Sequence, residues 1–157
     1  MEKDFLSEFM KKTESNQIQT LLTCNQYTEQ FGLRFTEQDV SQLAVHRRNT
    51  LREQERLELG ESILSKLIFT FCDSPHIYQD NYVDTIEALL ELFYLYKSES
   101  LEELTDDELL AYMKEHFDGE CEGSLEYLED NCLEDFCRKI RSGTKLFIHR
   151  EDEMDEY

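Results

Sequence analysis

Apolar residues recur along this chain at intervals of three and four, the spacing of a helix face, almost throughout. Phe5, Leu6 and Phe9 predict a short first helix. Ile18, Leu21, Leu22 and Tyr27 predict a second, ending near Gly32. Thr36 stands three residues before Asp39, the pattern of an N-cap. The helix it opens carries Val40, Leu43, Ala44 and Leu51 on one face and runs to about Leu57. Gly60 breaks the rhythm. Ile63, Leu64, Leu67, Ile68 and Phe71 then form a strongly amphipathic helix that stops before Ser74-Pro75, since the residue before proline disfavours the helical region.

The most apolar helix follows, marked by Val83, Ile86, Leu89, Leu90, Phe93 and Tyr96. Thr105-Asp106-Asp107-Glu108 starts another, with acids in the first turn where they oppose the helix dipole. It presents Leu109, Leu110, Met113 and Phe117 before Gly119 ends it. Leu125, Leu128, Leu133, Phe136, Cys137 and Ile140 give a last long helix, closed by Gly143. Lys145 to His149 alternates weakly, which suggests a short extended segment, and 151–157 reads as a frayed acidic tail. The expectation is an all-α bundle of six or seven helices in one domain over residues 1–150.

Composition is consistent with that expectation. The 157 residues are 39% apolar with 18 Phe and Tyr, enough for a core. A chain of this length buries roughly 70% of its unfolded surface without needing a disulfide or metal staple. One Pro and five Gly leave too little turn chemistry for a many-stranded sandwich or barrel. Nothing at the N-terminus reads as a signal peptide, and no apolar run approaches a membrane span. Five cysteines, an odd number without a CxxC pair, fit reduced thiols in a cytoplasmic protein better than a secreted disulfide framework.

Charge narrows the class of partner. Sixteen Lys and Arg face 36 Asp and Glu, a formal net charge of −20. The excess is local: residues 57–137 hold 22 acids against only Lys66, Lys97 and Lys114. Such a balance disfavours direct nucleic-acid binding, which needs clustered cations, and equally disfavours an anionic membrane. A protein partner is the expected ligand, and no cofactor is expected.

Two stretches interrupt the helical spacing and offer reactive side chains. Residues 72–80 carry Asp73, His76 and Asp80 beside Cys72. Residues 116–122 carry His116, Asp118 and Glu120 beside Cys121 and Glu122. Joined, they could form a metal or acid/base cluster, because imidazole and carboxylate suit divalent ions. The spacing matches no zinc or calcium motif, so no metal is assigned, and capping residues and packed thiols explain much of both stretches. A Cys–His pair, Cys72 with His76 or Cys121 with His116, lacks a visible oxyanion hole. Arg48, Arg52 and Arg56 recur at intervals of four with Arg47 beside them. They read either as a solvated helix face or as a docking stripe for an acidic surface.

Phe71-Cys-Asp-Ser-Pro-His-Ile-Tyr-Gln-Asp-Asn-Tyr, Thr105-Asp-Asp-Glu-Leu-Leu and Phe117-Asp-Gly-Glu-Cys-Glu-Gly-Ser together resemble an uncharacterised family of small acidic cytosolic proteins from Gram-positive, clostridia-like bacteria. The resemblance runs from about Thr36 to Ile140 and implies a bacterial cytoplasmic protein, with no activity, cofactor or site to carry over. The leading reading is therefore a non-enzymatic interaction or regulatory module with a strongly acidic surface. The alternatives are a nucleic-acid mimic that occupies a basic groove, and a metal-dependent enzyme built on the two stretches.

Overall fold

The computed structural model describes residues 16–57, 62–101 and 103–144. The helix expected around Phe5, the break at Gly60, the extended segment over 145–149 and the tail lie outside the described residues. Six helices follow in order: α1 (residues 16–28), α2 (Glu37–Glu53), α3 (Ile63–Phe71), α4 (Tyr82–Glu99), α5 (Asp106–Asp118) and α6 (residues 125–144). Among the described residues there is no strand, so the all-α expectation holds. None of the described helices is long and apolar enough to cross a membrane. The chain divides into two compact units, Met1–Glu91 and Leu92–Tyr157, and α4 contributes residues to both.

In the first unit, α1 buries Leu21 and Cys24 and continues into a 3-10 turn, Glu29–Phe31. Gly32 closes that turn at φ +79. A β-carbon there would meet nothing within 4 Å, so the backbone conformation, not crowding, calls for glycine. The segment that follows is locked by two side-chain amides acting as a neighbouring strand would. Buried Asn25 accepts from the Phe35 amide at 2.8 Å and donates to the Phe35 carbonyl at 2.9 Å. Gln79 does the same for Arg34, at 2.8 Å each way. Phe35 stacks face to face on Tyr82, ring centroids 4.0 Å apart, and both are fully buried. Every backbone group in this extended stretch that the fold takes from water must find such a partner.

α2 starts as its sequence predicts. Asp39 donates its amide to Thr36 Oγ1 at 3.0 Å while the Asp39 carboxylate accepts from the Thr36 amide at 2.9 Å, a complete capping box. Its end differs: the helix stops at Glu53, short of Leu57. Glu55 adopts φ +53, its amide reaches the Arg52 carbonyl at 3.1 Å, and the Arg56 amide reaches the Leu51 carbonyl at 2.8 Å. That is a Schellman closure made by glutamate where glycine is usual, which is why composition gave no warning. α3 is capped by Ser62, whose Oγ also accepts from Gln17 Nε2 at 2.8 Å and so ties α1 to the start of α3.

In the second unit, α4 ends on another left-handed residue that is not glycine, Leu101 at φ +56. α5 starts where the sequence predicts, closed by a capping box of Thr105 with Glu108, and buries Leu109, Leu110, Met113 and Phe117. Residues 119–123 form a tight turn in which the Cys121 amide donates to the His116 carbonyl at 3.0 Å and the Gly123 amide to the Phe117 carbonyl at 2.8 Å. Ser124 then caps α6, accepting from the Tyr127 amide at 3.1 Å. α6 is not a regular helix. It widens to π geometry over Leu128–Leu133, returns to α over Glu134–Lys139 and widens again over Ile140–Thr144.

Candidate functional site

The two stretches of interrupted spacing fall in different units: Asp73, His76 and Asp80 in the first, His116, Asp118 and Glu120 in the second. Residues 72–80 form a folded connection. Buried Ser74 donates its amide to the Phe71 carbonyl at 3.0 Å and accepts from the His76 amide at 3.2 Å on Oγ. The Asn81 side chain accepts from the Tyr78 amide at 2.7 Å and donates to the His76 carbonyl at 3.3 Å. Ile77 is buried and anchors the bend, Asp73 and Asp80 are exposed, and His76 is half-buried. With the Gln79 clamp on Arg34, these bonds tie the stretch into the first unit.

Residues 116–122 behave differently. His116 is the last-turn histidine of α5, and its Nδ1 hydrogen-bonds the Glu120 carboxylate one turn on. α5 packs on the π segment of α6, which brings Cys132 to the same place. His116, Glu120 and Cys132 each have a ligating atom within 4.8 Å of the other two. A second thiol lies beside them, with Cys121 Sγ 3.6 Å from Cys132 Sγ. The site grades from a buried floor, Cys121 and Cys132, to a half-buried His116 and an exposed Glu120 at the rim. Asp118 is not part of it: that carboxylate pairs with Lys114 at 3.0 Å along α5.

Tyr112, one turn before His116, supports the arrangement. Its ring packs on the imidazole with centroids 4.1 Å apart and stacks on Phe136 at 4.0 Å. Its hydroxyl donates to the Cys132 carbonyl at 3.1 Å, inside the π segment where α-helical bonding is interrupted. Burial holds that hydroxyl protonated well above the usual tyrosine range. The thiols are protonated for the same reason. Burial pushes Cys132 up to about 12, with its hydrogen-bonded neighbour Cys121 and the Glu120 carboxylate adding to the effect. Burial raises Cys121 as well. Neither thiol is an activated nucleophile, because nucleophilic cysteines need a lowered pKa in an electropositive setting.

The arginines do not line up as their spacing predicts. Arg48 and Arg52 stand on α2, Arg47 is buried, and Arg56 lies beyond the helix end, past the left-handed Glu55. Their interval of four therefore does not describe one helix face. The same helix carries His46, 3.1 Å from Glu91 of α4 through Nε2, and Gln42, 3.0 Å from Glu87. Elsewhere on the first unit Tyr27, Phe31 and Phe69, each 40–49% exposed, meet edge to face.

Cys132 was not legible as part of a site because it is sixteen residues from His116 and joined to it only by packing. The one signal was the step of five between the apolar positions Leu128 and Leu133, which a regular helix does not place on one line and a π turn does. No curated protein and no solved structure matches the chain. The model of the family of unknown function DUF6323 matches residues 20–146, and the chain belongs to that family.

Proposed function

We propose that this protein is a non-enzymatic interaction or regulatory module whose second unit presents an acidic face to a Lys- and Arg-rich segment of a partner protein. The observation that carries the reading is how the second unit uses its cations. Lys97 pairs with Asp106 at 3.1 Å, Lys114 with Asp118 at 3.0 Å and Arg141 with Glu99 at 3.5 Å. Arg138 and Lys139 both reach Asp135, at 3.3 and 3.1 Å. Each described Lys or Arg of the unit is thus engaged by one of its own carboxylates, while Glu115, Glu122, Glu126 and Asp130 are exposed. Summed negative potential of this kind attracts a basic partner, speeds encounter and suppresses anionic competitors.

The experiment is capture of a partner from native lysate by the wild-type chain and by a variant with Glu115→Gln, Glu122→Gln, Glu126→Gln and Asp130→Asn, followed by cross-link mapping. The expected result is a partner that leaves in raised salt, is lost on neutralisation and cross-links to α5 and α6 through basic residues. Retention by the neutralised variant would contradict the proposal. So would cross-links that gather on the Tyr27, Phe31 and Phe69 cluster.

A further inference from the structure

From the donor set at the junction of α5 and α6 we infer that His116, Glu120 and Cys132 form a binding site for a divalent transition metal of the zinc class. Nitrogen, carboxylate oxygen and sulfur are the three donor types that zinc takes, at about 2.0–2.3 Å each. In a tetrahedral site of those bond lengths, neighbouring donors stand about 3.3–3.8 Å apart. The three atoms here already lie within 4.8 Å of one another, so side-chain adjustment of about 1 Å closes them on an ion. Cys121 Sγ, 3.6 Å from Cys132 Sγ, is the nearest further donor and has the spacing of two sulfurs on one metal. Calcium and magnesium do not fit, since they take oxygen donors and a thiol contributes nothing to them.

Two features beyond the triad point the same way. Cys132 sits in the π segment Leu128–Leu133, a local widening found frequently at functional sites, and the widening sets which residues of α6 face α5. Tyr112 holds both sides, its ring against the His116 imidazole and its hydroxyl on the Cys132 carbonyl, as outer residues of metal sites orient their ligands. Binding as the thiolate releases the Cys132 proton to solvent, so affinity falls as the pH is lowered.

The inference does not rest on the acidic docking face, and its test separates the two. The full chain, kept reduced and stripped with a chelator, is titrated with Co²⁺ and with Zn²⁺ alone, in excess Mg²⁺ to occupy surface carboxylates. One equivalent of Co²⁺ is expected to give a thiolate-to-cobalt charge-transfer band, and Zn²⁺ to abolish it. Cys132→Ser should remove the band and weaken Zn²⁺ binding by more than about 100-fold, beyond what outer residues contribute. Because Cys132 is buried, His116→Gln and Glu120→Gln, both nearer the surface, provide variants that keep the fold, each expected to weaken binding at least about tenfold. Cys137→Ser, a buried thiol outside the triad, should bind as the wild type does. Absence of a saturable band, or Zn²⁺ binding unchanged by His116→Gln and Glu120→Gln, would overturn the inference.

Discussion

The two units of this chain solve different problems with similar helices. The first, Met1–Glu91, carries 9 Lys and Arg against 16 Asp and Glu, and several of its polar side chains tie its own segments together. Asn25 and Gln79 clamp the Arg34–Phe35 stretch, Gln17 reaches Ser62, and Phe35 stacks on Tyr82. The second, Leu92–Tyr157, carries 7 cations against 20 acids and departs from regular helix twice in α6. There the polar groups converge on one another, His116 on Glu120 and Cys121 on Cys132. A unit whose polar side chains fasten its own loops and helices to one another is a scaffold. A unit with surplus charge and a donor cluster has chemistry left over for a partner or an ion.

The largest effect is expected from the Phe35–Tyr82 stack of the first unit. Phe35→Ala deletes a fully buried ring and its stack, and denaturant unfolding should show a loss of about 3–5 kcal/mol. A loss under about 1 kcal/mol would mean that the stack contributes little and the scaffold lies elsewhere.

A second measurement addresses buried thiols away from the metal donors. Burial pushes Cys137 up to about 12, with Glu99 and Glu134 adding and Arg141 opposing; burial likewise raises Cys24 in the first unit. A thiol raised in the fold binds its proton more tightly folded than unfolded. Its stabilisation is complete below the ordinary value of 9.0 and is lost as the pH rises from there toward about 12. Unfolding free energy should therefore decline above pH 9 by up to about 1.4 kcal/mol per pH unit for each such thiol. Cys137→Ala should flatten that decline by about one proton; an unchanged slope would remove Cys137 as its source.

Much of the scaffold was legible in the sequence, and the reasons are local. Thr36 with Asp39 and Thr105 with Glu108 are reciprocal bonds within four residues, so pattern alone predicts them, and the apolar faces of α2, α3 and α5 follow from helical spacing. The end of α2 was not legible. Glu55 and Leu101 occupy left-handed backbone that glycine normally marks, and no residue type announced the turn. The candidate loops were half legible. His116 and Glu120 are one helical turn apart and meet, whereas Cys132 reaches them only through the packing of α5 on a π segment, a long-range event that spacing does not encode.

A smaller effect is expected at the two left-handed residues. Left-handed backbone costs an ordinary residue about 1–2 kcal/mol, and glycine gives back roughly 0.5–1 in the unfolded chain. Glu55→Gly in the first unit and Leu101→Gly in the second should each raise stability by about 0.5–1 kcal/mol in denaturant unfolding. A loss in either would mean that the side chain contributes more than its backbone strain removes. Smallest of all is Asp135→Asn, which breaks the pairs to Arg138 and Lys139 on an exposed helix face. Its expected cost is about 0–1 kcal/mol, far below that of removing the Phe35 ring in the first unit.

The central claim, that the second unit holds more negative charge than its fold uses, has a direct measurement that needs no partner. Melting temperature is recorded from low salt to about 0.5 M NaCl for the wild type and for the variant neutralised at Glu115, Glu122, Glu126 and Asp130. The Debye length shrinks from roughly 30 Å at 0.01 M to about 3 Å at 1 M, so salt screens repulsion between exposed carboxylates and leaves buried contacts untouched. The account predicts that the wild type melts higher as salt is added, and that the variant melts higher than the wild type at low salt and gains less from screening. A variant that melts lower than the wild type at low salt, or a wild type whose melting temperature falls with salt, would show that those carboxylates hold the fold together and contradict the claim.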